Sequence, residues 1–257
     1  MATDATAIKA VYADFGMTLA KPIFPPEEGM LNSLIDGAER ANVLEECGGK
    51  TRLELVYQQV MEKFGGGMKA VKKIGEEEMF YLCDAAYGIL EPTGCERATI
   101  CFMGEEVKAL HPVEGVECFR DFLNNKIRTG IITDGKHYQM ILQWLDKYNL
   151  QDHFLDIYTR VGKLDYTRAF TKEFDATKED GRLLSELGAD LQELGVAPGE
   201  TVVVDDSPRN CAKAHEKGFK SVVYTGVIKQ EMPTGCIENV DAVIRNFKEL
   251  PLVISRF

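Results

Sequence analysis

The chain has 257 residues, 45% of them hydrophobic, and its 30 Lys and Arg against 41 Asp and Glu leave a formal net charge of −11. With a pI near 5.0 and no basic cluster to offset it, the balance argues against nucleic acid or an anionic membrane surface as a partner. No apolar run approaches the roughly 18 residues that span a bilayer, MATDATAIKA lacks the basic start and apolar run of a signal peptide, and seven irregularly spaced cysteines without a CxxC pair read as reduced thiols of a cytoplasmic protein.

Residues 7–14 (AIKAVYAD) predict a first strand that ends at Asp14. The stretch Lys21-Pro22-Ile23-Phe24-Pro25-Pro26 continues neither a helix nor a central strand, so the chain is expected to leave the first body there. Within 21–108, LNSLIDGAERANVLEE, TRLELVYQQVMEKF and MKAVKKIGEEEMFYLCDAAYGIL carry apolar residues at i, i+3, i+4 spacing, and Gly65 to Gly67 break the second helix from the third. Alternation then resumes. Glu114 to Lys126 predicts a helix, RTGIITD a strand, Tyr138 to Tyr148 a helix, FLDIYT a strand, and a long polar-rich helical region reaches Leu194. VAPGETVVVDD gives a turn and a strand, Pro208 to Lys217 a helix closed by Gly218, and KSVVYTG a further strand. Alternating strands and helices predict a parallel sheet with helices on both faces.

Three apolar runs end in polar residues: Asp14, Thr133-Asp134 and Asp205-Asp206. Buried parallel strands read as short apolar runs, and ligands sit beyond their carboxyl ends, so the three endings predict one shared crevice. The backbone N–H groups of Asp134 and Gly135 form a candidate anion nest. Two adjacent carboxylates at Asp205-Asp206 repel each other and stay ionised most easily around a cation. Oxygen ligands alone favour Mg²⁺. Ser207-Pro208 also suits a helix N-cap and first helical position. His111, His137, His153 and His215 show no metal-ligand spacing, and His137 alone lies beside a motif. Trp144 reads as a helix packing residue.

Taken together, DFGMTL at 14–19, IITDG at 131–135, Lys163 and VVVDDSPRN at 202–210 resemble the haloacid dehalogenase-like hydrolase superfamily. The helical block between the first two motifs is similar to the members with a helical cap inserted there. The resemblance implies an α/β fold, a Rossmann-like parallel sheet core of residues 1–20 and 109–257 with an inserted helical cap domain at 21–108. It implies Asp14 as nucleophile, Thr18 as the hydroxyl that orients its loop, and Thr133 as the hydrogen-bond partner of a substrate oxygen. Lys163, in Val161-Gly162-Lys163-Leu164-Asp165, is the candidate ammonium that balances Asp14 and the bound anion, with Lys172 as rival. Mg²⁺ would be held by Asp14, the Gly16 carbonyl, Asp205 and Asp206. Of the pair, Asp206 is the direct ligand and Asp205 either binds or supports it, and Asn210 takes the place of a family Asp or Asn. Lys50 does not match the cap lysine of the family's phosphonate-cleaving branch.

Gly16 departs from the pattern, because phosphatases of the family usually place a second Asp there to protonate the leaving group. Haloacid dehalogenases lack that Asp too, since a halide leaves unprotonated. The expected activity is Mg²⁺-dependent hydrolysis of a small phosphorylated metabolite through an aspartyl-phosphate, with cap closure excluding water and choosing the anionic substrate. The rivals are hydrolysis of a 2-haloacid through an aspartyl ester, and a catalytically weak member that binds a metabolite. The sequence leaves the oligomeric state open.

Overall fold

Ala10–Ala13 forms the first strand, β1, and all four of its residues are buried, as expected of a strand covered on both faces. The computed structural model describes residues 7–22, 35–36, 38–39, 44–45, 48–63, 110–135, 138–226 and 239–257. Two compact units divide the chain. One comprises Met1–Lys21, Pro112–Tyr138 and Leu145–Phe257, and the other Pro22–His111 and Gln139–Trp144.

In the first unit, β4 (Arg128–Ile132), β5 (Asp156–Thr159), β8 (Thr201–Asp205), β9 (Lys220–Tyr224) and β10 (Ala242–Ile244) join β1 as parallel strands. An antiparallel hairpin of β6 (Gly162–Leu164) and β7 (Phe170–Glu173) extends one edge. The order is β10-β9-β8-β1-β4-β5-β6-β7, and β2 (Ala20–Pro22) pairs with β3 (Leu110–Pro112) in a separate two-stranded sheet. This is the α/β class that the alternating pattern predicts.

Ala10 and Tyr12 of β1 pack with Ile132, Tyr158 and Val203 against Leu183, Leu184, Leu187 and Leu191 of a helix at Arg182–Glu193. By the two-residue alternation of a strand, Val11 and Ala13 face the other side. Phe119, from the helix Cys118–Asn124, lies within ring contact of Phe122, Phe154 and Phe247. Cys118 and Cys211 are free and buried, and burial pushes the Cys118 thiol up to about 12. Among the described residues, no helix is long and apolar enough to cross a membrane.

Several predicted elements match closely, among them the helix Tyr138–Tyr148 and the helix Pro208–Glu216, in which Ser207 caps the Asn210 N–H and Pro208 takes the first turn. The helix predicted over TRLELVYQQVMEKF is Gly49–Lys63, with Leu53 buried. Of the predicted helix LNSLIDGAERANVLEE, residues 35–36 and 38–39 are described and helical, with Ile35 and Ala38 buried. The third predicted helix and Gly65 to Gly67 lie outside the described residues. One expectation is corrected. The region after Thr159 is not helical up to Leu194, because β6 and β7 precede the helix at Arg182–Glu193. The turn between them is fixed locally. The Asp165 carboxylate accepts the Thr167 N–H and hydroxyl, and Arg168 takes a left-handed backbone (φ 66°).

Candidate active site

Register brings the motif residues to one end of the sheet. Ala13 is level with Ile131 on β4 and with Val204 on β8, so the next residues, Asp14 and Asp205, are neighbours at the carboxyl ends of the central strands. The Asp14 N–H donates to the Val204 carbonyl. Both carboxylates are buried, at 7% and 1% exposure.

Between them lies a lysine that belongs to none of the sequence motifs. Lys178 Nζ donates to Asp14 Oδ1 and to Asp205 Oδ2, each at 2.5 Å, and to the Ile132 carbonyl at 3.3 Å. Its side chain is 2% exposed. Burial disfavours its charge, but Asp14, Asp205 and Asp134 outweigh that and hold the ammonium well above its ordinary value. The expectation for Lys163 is corrected. Lys163 sits on β6, donates to Asp190 Oδ2 at 2.9 Å and shares that carboxylate with the Tyr158 hydroxyl. Lys172, the rival, pairs with Glu186 and Asp190. Lys178 stands in Thr177-Lys178-Glu179-Asp180, a polar stretch shortly before the helix that leads into β8, with no apolar run or periodicity to mark it.

Asp14 is raised to about 7, mainly by burial and further by the charges of Asp205 and Asp134, against the lowering effect of Lys178. Three carboxylates thus share one ammonium. Asp134 is also raised, by burial first, and its Oδ1 accepts the backbone N–H of Lys178 at 2.5 Å.

The loop after β1 is a tight turn. Met17 adopts a left-handed backbone (φ 58°), which costs a non-glycine residue about 1–2 kcal/mol. The N–H of Met17 bonds the Ala20 carbonyl and the N–H of Ala20 the Phe15 carbonyl, neither of which engages the carbonyl of Gly16. The turn directs the buried Thr18 hydroxyl to the loop after β8, where it donates to Asp206 Oδ1 (3.3 Å) and accepts the Asp206 N–H (3.1 Å). Thr18 therefore ties the two loops together.

Thr133 is buried at the end of β4, and its hydroxyl oxygen accepts the Gly135 N–H at 3.3 Å. That bond takes up one of the two N–H groups expected to form an anion nest, and leaves the Thr133 O–H as a donor. His137 lies outside the described residues. His215 pairs with Asp241, away from the motif residues, and Lys50 is an exposed residue of the helix Gly49–Lys63.

Asp205, expected among the metal ligands, has its carboxylate occupied by protein donors: Lys178 on Oδ2, the Ser207 N–H on Oδ1, and the Asn210 amide on both oxygens. Among the described residues, no group of three His, Cys, Asp or Glu side chains is placed to hold a metal ion. Mg²⁺ needs no such cage, since it is commonly held by one or two carboxylates with waters and substrate oxygens. Asp14, Asp206 and the Gly16 carbonyl suit that chemistry, and the excess of carboxylate over ammonium charge suits a cation.

The chain aligns with solved structures over nearly all of both chains. A HAD phosphatase from Thermococcus onnurineus aligns with a TM-score of 0.58 at 19% identity, covering 96% of this chain and 98% of its own. The fold is that of the haloacid dehalogenase-like (HAD) hydrolases. A 2-haloacid dehalogenase from Pseudomonas syringae pv. tomato DC3000 also shares it (TM-score 0.55, 19% identity, 97% and 99% coverage). So does a HAD-hydrolase from Bacillus subtilis described as bound to magnesium (TM-score 0.53, 14% identity, 97% and 99% coverage). No family model matches the chain, and no curated protein matches it. The HAD fold is therefore carried by structure, at identities too low to transfer an activity.

Proposed function

We propose that the chain is a hydrolase, a Mg²⁺-dependent phosphatase of a small phosphorylated metabolite that works through an aspartyl-phosphate. The observation that carries this reading is the buried Asp14, bridged by Lys178 to Asp205 with Asp206 fixed beside it by Thr18. Lys178 holds Oδ1 of Asp14, and on this reading Oδ2 attacks phosphorus. The Asp14–phosphorus bond forms as the ester P–O bond breaks, and the alcohol leaves, taking its proton from water. A water then adds to phosphorus, the Asp14–phosphorus bond breaks, and inorganic phosphate departs from a restored carboxylate.

Lys178 keeps its proton throughout and neutralises charge on Asp14 and on the phosphoryl oxygens. The Thr133 hydroxyl donates to one of those oxygens. Asp14, Asp206 and the Gly16 carbonyl would hold Mg²⁺, which would supply Lewis-acid stabilisation of phosphoryl charge and favour the ionised form of Asp14 that burial disfavours.

One observation favours a second reading. Gly16 has no side chain with which to protonate an alkoxide, and a halide leaves without a proton. In a 2-haloacid hydrolase, Asp14 would attack carbon and the acidic pair would need no cation. The deciding experiment screens phosphate esters and 2-haloacids, each with and without EDTA. Ester hydrolysis that EDTA abolishes is the expected result. Halide release indifferent to EDTA would replace the phosphatase reading with the second one.

A further inference from the structure

The end of β4 holds Lys178 at two points. The Ile132 carbonyl accepts from its Nζ at 3.3 Å, and two residues on, Asp134 Oδ1 accepts its own peptide N–H at 2.5 Å. The lysine needs such a hold because of where it sits. It lies not on a strand but in the connection of residues 174–181, between β7 and the helix at Arg182–Glu193. That connection follows a hairpin whose outer strand is exposed along its whole length. The other bonds there are local or lead back towards the hairpin: Ala176 N–H to the Arg160 carbonyl, Gly181 N–H to the Lys178 carbonyl, and Asp180 N–H to the Thr177 hydroxyl. The Asp134 bond ties the connection directly to the central strand next to β1.

We infer that Asp134 is a positioning residue: by holding the peptide N–H of Lys178 it sets the ammonium between Asp14 and Asp205. The role belongs to the side-chain oxygen and is separate from any contact that the Asp134 backbone makes with substrate. A charged acceptor makes the shorter and stronger kind of hydrogen bond. Without the tether, the peptide of Lys178 is free to shift, and displacements of about 1 Å from productive geometry can cost about 10²-fold in rate. The inference deepens the phosphatase reading, and its kinetic consequence rests on it. The geometric consequence does not.

Two readouts test it on Asp134→Ala and Asp134→Asn. The first is turnover of p-nitrophenyl phosphate with Mg²⁺. The second is acylation of Lys178 by acetic anhydride, read by peptide mass spectrometry, which needs no turnover. The Ala variant is expected to lose about 10- to 100-fold in kcat and to acylate readily at Lys178, which the wild type protects. The Asn variant keeps an acceptor oxygen, and is expected to protect Lys178 again and to turn over at least about tenfold faster than the Ala variant. If the Ala variant fails to fold by circular dichroism, Asp134→Ser, whose oxygen falls short by one bond, takes its place. A protected Lys178 in the Ala variant overturns the inference. So does an Asn variant as impaired and as readily acylated as the Ala variant. A wild type that protects Lys178 but hydrolyses no ester sinks the phosphatase reading alone.

Discussion

Lys178 carries the candidate site at the scale of single residues, since its Nζ serves Asp14, Asp205 and the Ile132 carbonyl together. Lys178→Met should lower ester turnover by about 10²- to 10³-fold, the usual cost of removing a preorganised charge-stabilising donor. It should also destabilise the fold by about 3–5 kcal/mol, because two buried carboxylates lose their partner. Steady-state kinetics and thermal melts read both. Lys163→Met removes a partner of Asp190 and is expected to cost far less turnover. Asp14 gives a second prediction. Its pKa in the fold, about 7, lies above its unfolded value, so between the two the folded chain binds more protons than the unfolded one. The stability this contributes is full below the unfolded value and is lost as pH rises through about 7. Metal-free Asp14→Asn should therefore melt higher than the wild type at pH 8, and the difference should shrink toward pH 5. A difference that is constant with pH would contradict the raised carboxyl. Asp14, Thr18 and Asp206 were legible in the sequence because they sit at the ends of apolar runs or in the turn after one. Lys178 was not, because a lysine in a polar connection has no periodicity to mark it.

At the scale of elements, the central strands were readable for the same reason that they are buried. β1 and the Val202–Val204 run of β8 lead into Asp14 and Asp205, and no residue of either strand is exposed. The β6–β7 hairpin was not readable. Its strands are only three and four residues long, and the outer one has no buried face to impose an alternation. The hairpin lengthens the stretch before Lys178, and so displaced the expected lysine onto β6. Within β4, Gly130 is held to glycine by its neighbours, since a Cβ there would fall within the Tyr12 ring and 2.9 Å from the Asp156 carbonyl oxygen. Tyr12 cannot yield easily, because its hydroxyl donates to Asp156, which Arg128 also holds. Gly130→Ala should therefore destabilise by about 1–3 kcal/mol, the usual penalty for overpacking. Urea melts would show it as a lowered midpoint at unchanged slope.

At the scale of the whole molecule, the chain is acidic by 11 charges, yet on the reading proposed here it binds an anion. On that reading local charge reconciles the two, through one buried lysine and the Mg²⁺ that the carboxylates would hold. Binding to the folded state alone stabilises it by mass action, so millimolar Mg²⁺ should raise the melting temperature of the wild type. Asp206→Asn should blunt that rise, and EDTA should reverse it. An equal response in the variant would remove Asp206 from the ligand set. The HAD architecture itself serves phosphatases and dehalogenases alike, so the fold does not choose between them. The chemistry at Asp14 does. A single turnover in heavy-oxygen water, with the enzyme in excess over p-nitrophenyl phosphate or 2-chloropropionate, locates the atom that water attacks. Heavy oxygen is expected in the released phosphate and none in the Asp14 carboxylate. Heavy oxygen in the carboxylate, with 2-chloropropionate consumed and the phosphate ester left intact, would contradict the phosphatase reading.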